Sequence, residues 1–351
     1  MGAFARARSR SGAGFLAKVR GWLGRDSLRR GACAARLGSE VEARGPNLKR
    51  TGRRSFAAVD SALDVLGVAI TNPGRRLFAE ASVTKASLAS HYVSYMDRLL
   101  PLLAGRPLGL MRCPTGRESQ TVFDRGPSAR LMQTTRRGAL TDRIIIVKTP
   151  QDVIALVERG TVEIHAGNVR TDRPNMADRV IFELDPAEDL PFSITAEALT
   201  LVRNGLLERG LEAFVFSTGG RGYAVMVPLE RRLSVVDAFS WSKAFAATVA
   251  VSAPRHLTVN TSKASRRDRV FLNTAWNAPG SLSIAPYSSR MRAGAPLALP
   301  LPWDAVLQQT RPALHHVGEA PAPDDPWAHR VHVRQRLGQR QHANLDGGGR
   351  R

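Results

Sequence analysis

Cysteine, acidic side chains and long apolar runs are all scarce in this chain of 351 residues. Only Cys33 and Cys113 occur, which excludes a disulfide scaffold and a cysteine-ligated zinc centre and suits a reducing cytosol. No run approaches the ~18 uncharged apolar residues that a membrane-spanning helix needs, so a membrane-embedded chain is excluded. No GxxxxGK followed by Ser or Thr is present, which argues against a P-loop enzyme. Acidic residues number 30 against 51 Lys and Arg, a formal net charge of +21. Polyanions are therefore the first partners to consider, nucleic acid before anionic membrane, because basic side chains gain affinity by releasing phosphate counterions. What is present is otherwise globular: 43% hydrophobic residues, enough for one large domain or two small ones.

The charge is uneven. Residues 1–54 carry 14 Lys or Arg against Asp26, Glu40 and Glu42, a net +11. They lack apolar periodicity except from Phe15 to Leu23, where a short amphipathic helix fits. Three readings of residues 1–55 stay open: a mobile basic arm, a targeting segment, or an extension upstream of the true start. At the other end, residues 320–351 are rich in Pro, Arg and His and finish in GGGRR, which predicts a disordered tail.

Between them lies α/β text. Thr84 reads as an N-cap for a helix running to Leu103, with Leu88, Tyr92, Tyr95, Leu99 and Leu103 on one face. Arg143 to Lys148 predicts a strand and Pro150 to Glu158 a helix stopped by Gly160. Arg179 to Asp185 predicts a strand, Thr195 to Arg209 a helix, Leu211 to Phe216 and Tyr223 to Leu229 two strands, Val235 to Val251 a helix and Arg269 to Asn273 a strand.

On the strand Ile181-Phe-Glu-Leu-Asp185, Glu183 and Asp185 leave the same face about 7 Å apart. Carboxylates so placed repel unless a cation such as Mg²⁺ or Mn²⁺ lies between them; a solvated strand face is the alternative. Thr218-Gly-Gly-Arg-Gly222 joins two apolar strands, either as a plain hairpin turn or as a loop whose Thr218, Gly219, Gly220 and Arg221 meet phosphate oxygens. Lys263, Arg266, Arg267 and Arg269 cluster before an apolar strand, as a solvated basic loop or a phosphate-facing edge. Ser288, Arg290 and Arg292 mix hydroxyl and guanidinium in a way suited to a triphosphate.

In order along the chain stand TNPxxxLF and TK (Thr71 to Tyr92), GRPLxLxRCPxG (Gly105 to Gly116), EIH (Glu163 to His165), RPxxxxRVIFELDP (Arg173 to Pro186), TGGRG with VxVPL (Thr218 to Leu229), SKAxRRxRVFLNxxxN (Ser262 to Asn277) and APYSxRxRxGAPLxxPLxWD (Ala285 to Asp304). This set resembles the polymerase domain of bacterial DNA ligase D, of the archaeo-eukaryotic primase superfamily, over residues 66–310. The resemblance implies an α+β fold, two α/β layers around a mixed or antiparallel central sheet. It also implies a primase-polymerase that uses Mg²⁺ or Mn²⁺ and nucleoside triphosphates to extend DNA ends in non-homologous end joining. DNA with a 5′-phosphate, the end-binding protein Ku and a separate ligase are the partners it suggests, in the cytoplasm at the nucleoid. Neither a ligase KxDG nucleophile nor a histidine-rich phosphoesterase cluster is present.

By the same resemblance three aspartates hold two metal ions, and the matching positions here are Glu183, Asp185 and Asn273. Glu183 keeps the charge. Asn273 loses it, leaving Glu183 and Asp185 as metal ligands. The family's Ser-x-x-x-x-x-His reads Thr218 and Ala224, so the imidazole is gone. Loss of even an outer-shell partner of a metal typically costs ~10–100-fold, so polymerisation is expected to be severely impaired unless Asp268, Glu188 or Asp189 substitutes. Lys263, Arg266, Arg290 and Arg292 match basic positions on the nucleotide and primer side, and Ser288 lies beside them. Arg75 and Lys85 match a basic pair that grasps the 5′-phosphate across a gap, and His165 matches a histidine near the template.

Overall fold

The computed structural model describes residues 62–78, 81–114, 120–124, 132–137, 140–312 and 314–337. The segment 1–55 and the end of the expected tail lie outside them. In chain order come strands β1 (Leu63–Val65) and β2 (Val68–Ile70), helices α1 (Lys85–Ser94) and α2 (Met96–Leu103), strands β3 (Leu108–Arg112), β4 (Val122–Asp124), β5 (Met132–Arg137) and β6 (Leu140–Ile145), and helix α3 (Pro150–Glu158). Strands β7 (Thr161–Gly167), β8 (Val169–Arg170), β9 (Arg173–Ala177) and β10 (Arg179–Pro186) precede helix α4 (Phe192–Leu207). The chain continues through β11 (Phe214–Ser217), β12 (Tyr223–Pro228), α5 (Val235–Ser252), β13 (Leu257–Thr258), β14 (Val270–Asn273), β15 (Leu282–Ile284) and the short α6 (Trp303–Leu307). None of the described helices is long and apolar enough to cross a membrane.

Local chemistry sets the helix boundaries. Thr84 and Thr149 each accept the N3 amide of the helix they start, and the N3 side chain returns the bond, which satisfies donors the helix cannot pair itself. The expected single helix from Thr84 breaks at Tyr95 (φ −102°, ψ 5°). The break leaves no hydrogen bond unmade there: Tyr95 N–H donates to His91 O, and its own carbonyl accepts from Arg98 and Leu99. The strand expected to reach Lys148 stops at Ile145, because the Lys148 and Thr149 amides turn to Asp152 Oδ2, each at 2.9 Å, to begin α3.

Two sheets carry the fold. One has the order β11-β12-β10-β14-β13 and is antiparallel except for the β13–β14 edge; the other, β15-β7-β3-β6-β5 with β4 on β3, is antiparallel. This is the expected α+β arrangement with a mixed sheet. Alternation along β10 sorts its side chains between two cores. Val180, Phe182 and Leu184 pack with Leu199 and Val202 of α4 and Trp241 and Phe245 of α5, whereas Ile181 joins Phe216, Ala224 and Met226 in the other core. Glu183 and Asp185 therefore fall on the Ile181 side, away from α4 and α5.

Within the tail expected to be disordered from residue 320, residues 320–337 are mostly exposed, but Trp327 is packed against the fold. Trp327 is 2% exposed, its ring edge-on to Phe214 and Phe216. Asp325 fixes it by accepting from Tyr287 Oη at 2.8 Å and Trp327 N–H at 2.9 Å. One buried indole, worth roughly 1.5–3 kcal/mol of apolar transfer, anchors a segment whose composition alone reads as unfolded.

Candidate nucleotide and DNA-end site

Glu183 stands between Ala224 of β12 and Asn273 of β14 in the sheet register. Asn273 Nδ2 donates to Glu183 Oε2 at 2.9 Å, and Trp276 Nε1 donates to the same oxygen at 2.5 Å. The other end of the Asn273 amide accepts Ala275 N–H at 2.9 Å. One oxygen of the carboxylate thus accepts two N–H bonds. Asp185 is exposed and 3.7 Å from Arg266 Nη1. The Arg266 guanidinium lies 3.7 Å over the Phe271 ring, a stacked geometry that fixes where its charge points.

This donor set does not fit a pair of divalent ions. Mg²⁺ demands oxygen ligands in near-octahedral array, and one oxygen of Glu183 already carries two N–H donors. Among the described residues no three of His, Cys, Asp and Glu group as a metal site. Of the suggested substitutes, Asp268 sits in a turn at φ +57° ahead of β14 rather than on the strand. Glu188 and Asp189 are exposed, and Glu188 takes the Arg221 guanidinium, Nη1 lying 2.8 Å from its carbonyl and 3.5 Å from its carboxylate.

The Thr218–Gly222 turn closes the β11–β12 hairpin. Thr218 N–H and Oγ1 both donate to Gly222 O at 3.0 Å, while its carbonyl accepts from Arg290 Nη1. Gly219 has φ +74°, open to glycine at little cost, and a Cβ at Gly220 would strike the Arg292 guanidinium. Arg292 is exposed, and partial burial and the neighbouring Arg290 charge press its pKa down against the pull of Glu163 and Asp185. Hairpin, Asp185 and Arg292 therefore share one electrostatic neighbourhood. Lys263 is exposed at the start of the 3₁₀ turn Ala264–Arg266.

Two of the expected nucleotide contacts are turned inward. Ser288 is fully buried, its hydroxyl accepting from Ile164 N–H at 2.8 Å and donating to Ser289 O at 3.0 Å. Arg290 braces Glu163, Nε to Oε1 at 3.1 Å. Glu163 also accepts from Met291 N–H at 2.6 Å and bonds His165 Nε2 at 2.9 Å. Burial works to raise the Glu163 pKa, but His165, Arg290 and Met291 outweigh it and hold it at about 2. His165 lies edge-on to Phe123 at 5.3 Å.

The 5′-phosphate pair is split in the same way. Lys85 is 1% exposed, its Nζ 2.7 Å from both Glu158 Oε2 and Thr71 O, so its ammonium holds the 71–76 loop to α3 and is not presented to a ligand. Thr71 supports that carboxylate through N–H and Oγ1, at 2.8 and 2.6 Å. Arg75 is half-buried, and its Nε has no hydrogen-bond partner among the described residues.

Sequence reasoning missed Trp276, which holds Glu183, and the part played by Asn277. Asn277 pairs with both main-chain groups of Ile181, at 2.8 and 2.7 Å, standing in for the strand partner β10 lacks beyond β14. Asn277 closes the SKAxRRxRVFLNxxxN run, which was the available signal; an indole three residues after a strand carries none.

Residues 84–327 match the family described as LigD, primase-polymerase domain. The multifunctional non-homologous end joining protein LigD of Pseudomonas aeruginosa is 27% identical over 304 residues, 84% of this chain and 36% of that protein. Its namesake in Mycolicibacterium smegmatis is 27% identical over 257 residues, 71% of this chain and 33% of that protein. The chain thus spans about a third of the length of these relatives. Among solved structures, the polymerase domain of Mycobacterium tuberculosis ligase D in complex with DNA aligns with a TM-score of 0.66 at 24% identity, covering 71% of this chain and 91% of that one. That is a likeness of fold.

Proposed function

Because this chain belongs to the family of LigD primase-polymerase domains, we propose that it acts on DNA ends in non-homologous end joining, with nucleotide addition severely impaired at the Glu183, Asp185 and Asn273 centre. The observation that carries this reading is the double N–H bond onto Glu183 from Asn273 and Trp276. The family uses divalent metals and nucleotides. By the resemblance a third carboxylate helps hold two such ions; here an amide donor stands there and bonds Glu183.

The binding side is better provided than the chemical side. Arg221, Arg292 and Arg266 lie about the hairpin and Asp185, Lys263 stands three residues before Arg266, and guanidinium forks suit triphosphate oxygens. Arg75, on a loop fixed by Thr71, Glu158 and Lys85, is the residue we assign to the 5′-phosphate of a gapped end. His165, braced by Glu163, faces the template. The partners are DNA ends bearing a 5′-phosphate, Ku and a separate ligase, in the cytoplasm at the nucleoid. A second reading, a non-catalytic binder of DNA ends or nucleotides, is favoured by the Asp185–Arg266 pair, which neutralises the one exposed carboxylate of the centre.

The test is nucleotide addition on a gapped duplex with a 5′-phosphate, in Mg²⁺ and in Mn²⁺. Wild type is compared with Asn273→Asp and with Asn273→Asp combined with Ala224→His, the single variant being needed because Ala224 is 2% exposed. Extension by the wild type as fast as by either revertant overturns the impaired centre. Trace Mn²⁺-dependent extension fits the first reading, none fits the second, and failure to bind gapped DNA at low salt sinks both.

A further inference from the structure

β10 begins in a different environment from the one in which it ends. Its first residue, Arg179, lines a cleft of about 1040 Å³ whose wall, among the described residues, includes eight arginines and two acids, Asp178 and Glu230. Asp178 is shared: Arg106 takes it with both Nη atoms at 2.6 Å, and Arg170 Nε adds a third bond at 3.0 Å. Glu230 is engaged by Arg232 and Arg336. Arg179, 2% exposed, meets neutral groups, Asn168 Oδ1 at 2.9 Å and Gly167 O at 3.1 Å. Arg334 donates to main-chain carbonyls of its own segment.

Arg231 is paired with Asp172 at 2.6 Å, and positive charge is still left over, part of it on buried groups. Nη1 of Arg179, Nε of Arg106 and Nε of Arg330 are buried with no hydrogen-bond partner among the described residues. Arg106 and Arg179 are both at least nine-tenths buried. Buried donors without partners are rare and call for an acceptor. Burial first, and then mutual repulsion with Arg106, pushes the pKa values of Arg170, Arg179 and Arg330 below the usual arginine range. That strain would be relieved by an anion and not by a cation.

Clustered guanidinium groups select tetrahedral oxyanions that accept in bidentate fashion. Among the described residues no aromatic side chain lines the cleft, and such side chains are the stacking platform on which single-stranded bases are held. Its volume far exceeds one phosphate. We propose that this cleft is a second anion site, separate from the Glu183 and hairpin region, which takes a run of consecutive phosphoryl groups without reading bases. The run is that of a free polyphosphate or of a nucleic-acid backbone. The inference stands on the cleft alone and not on the end-joining reading.

The experiment uses the full chain with Arg221→Gln and Arg292→Gln, so that the hairpin does not contribute. Calorimetric titration at low salt compares inorganic tripolyphosphate with orthophosphate, then adds Arg173→Gln, Arg330→Gln and Arg334→Gln to the parent. Tripolyphosphate is expected to bind at least about tenfold more tightly than orthophosphate and to weaken about tenfold or more in the cleft variant, the order set by charge-assisted bonds. Arg173→Glu alone, at an exposed position, gives the same direction of change and covers the case in which the triple variant does not fold. Equal affinity for the two phosphates, or a folded cleft variant that binds as the parent does, overturns the proposal. Competition by an oligothymidylate without terminal phosphates assigns the site to a strand backbone; binding of tripolyphosphate without such competition assigns it to free polyphosphate.

Discussion

Asn273 stands opposite Glu183 as a hydrogen-bond donor, and replacing it with a carboxylate bears on stability as well as on the proposed centre. Asn273→Asp removes the Nδ2 bond to Glu183 and puts two carboxylates at directly opposed positions of an antiparallel pair, where like charges repel. The variant is expected to lose about 1–3 kcal/mol of stability, the usual cost of an unmade bond to a charged group. Mn²⁺ should restore part of that loss in the variant and stabilise the wild type less. Thermal melts with Mn²⁺ and with a chelator decide it, and an equal Mn²⁺ response in both proteins would count against the reading of the centre.

At Lys85 the residue scale separates binding from support. With Nζ 1% exposed and 2.7 Å from Glu158, truncation to Met leaves the Glu158 carboxylate facing Thr71 without its cation. A double-mutant cycle of Lys85→Met with Glu158→Gln is expected to give a coupling of about 1–3 kcal/mol, typical of residues in direct contact. Arg75→Ala should instead leave stability nearly unchanged and reduce the preference for a 5′-phosphorylated gap over an unphosphorylated one. Loss of that preference in the Lys85 variant but not in the Arg75 variant would reverse the assignment.

Between elements, Glu163 ties β7 to the 288–292 loop and through Arg290 to the Thr218 hairpin. Its pKa is 4.5 when unperturbed and about 2 in the fold, so its contribution is fully present above pH 4.5 and is lost as pH falls towards 2. By linkage that contribution is about 3 kcal/mol. The stability difference between wild type and Glu163→Gln should therefore be largest near neutrality and shrink through that window, measured by urea unfolding at successive pH values. His91 adds a second acid limb: burial lowers its pKa from 6.5 to about 4, so the stability it confers is complete above pH 6.5 and falls away towards pH 4.

Elements were legible where one local signal decides them. β10 reads from its apolar run, α3 from the helical pattern Pro150 to Glu158 stopped by Gly160, and α5 from the helical pattern Val235 to Val251. Of the three residues expected at the centre, Glu183 and Asn273 stand opposite one another on β10 and β14, while Asp185 stands opposite Phe271. What was hidden depends on partners far away in the chain. The anion for Lys85 is 73 residues distant and that for Arg290 is 127, so sequence presents both as ordinary surface cations. Trp327 was masked by the Pro, Arg and His around it. The arginine cleft draws on residues from Pro101 to Arg334, a grouping that no window along the chain contains.

For the whole molecule the charge balance sets how binding responds to salt. Of the net +21, +11 belongs to residues 1–54, outside the domain that holds Arg75 and the hairpin. Phosphate contacts made by cations release counterions, with log K falling by about 0.9 per contact for each decade of salt on duplex DNA. Removing residues 1–54 is therefore expected to flatten the salt dependence of duplex binding and to weaken it at about 50 mM salt more than at 200 mM. The preference for a 5′-phosphorylated gap should survive, because the loop that carries Arg75 is held by Thr71, Lys85 and Glu158 within the remaining chain. Fluorescence anisotropy over a salt series, with phosphorylated and unphosphorylated gaps, separates the two contributions. If truncation abolishes the preference while leaving the slope unchanged, the basic segment and not the Arg75 loop reads the end.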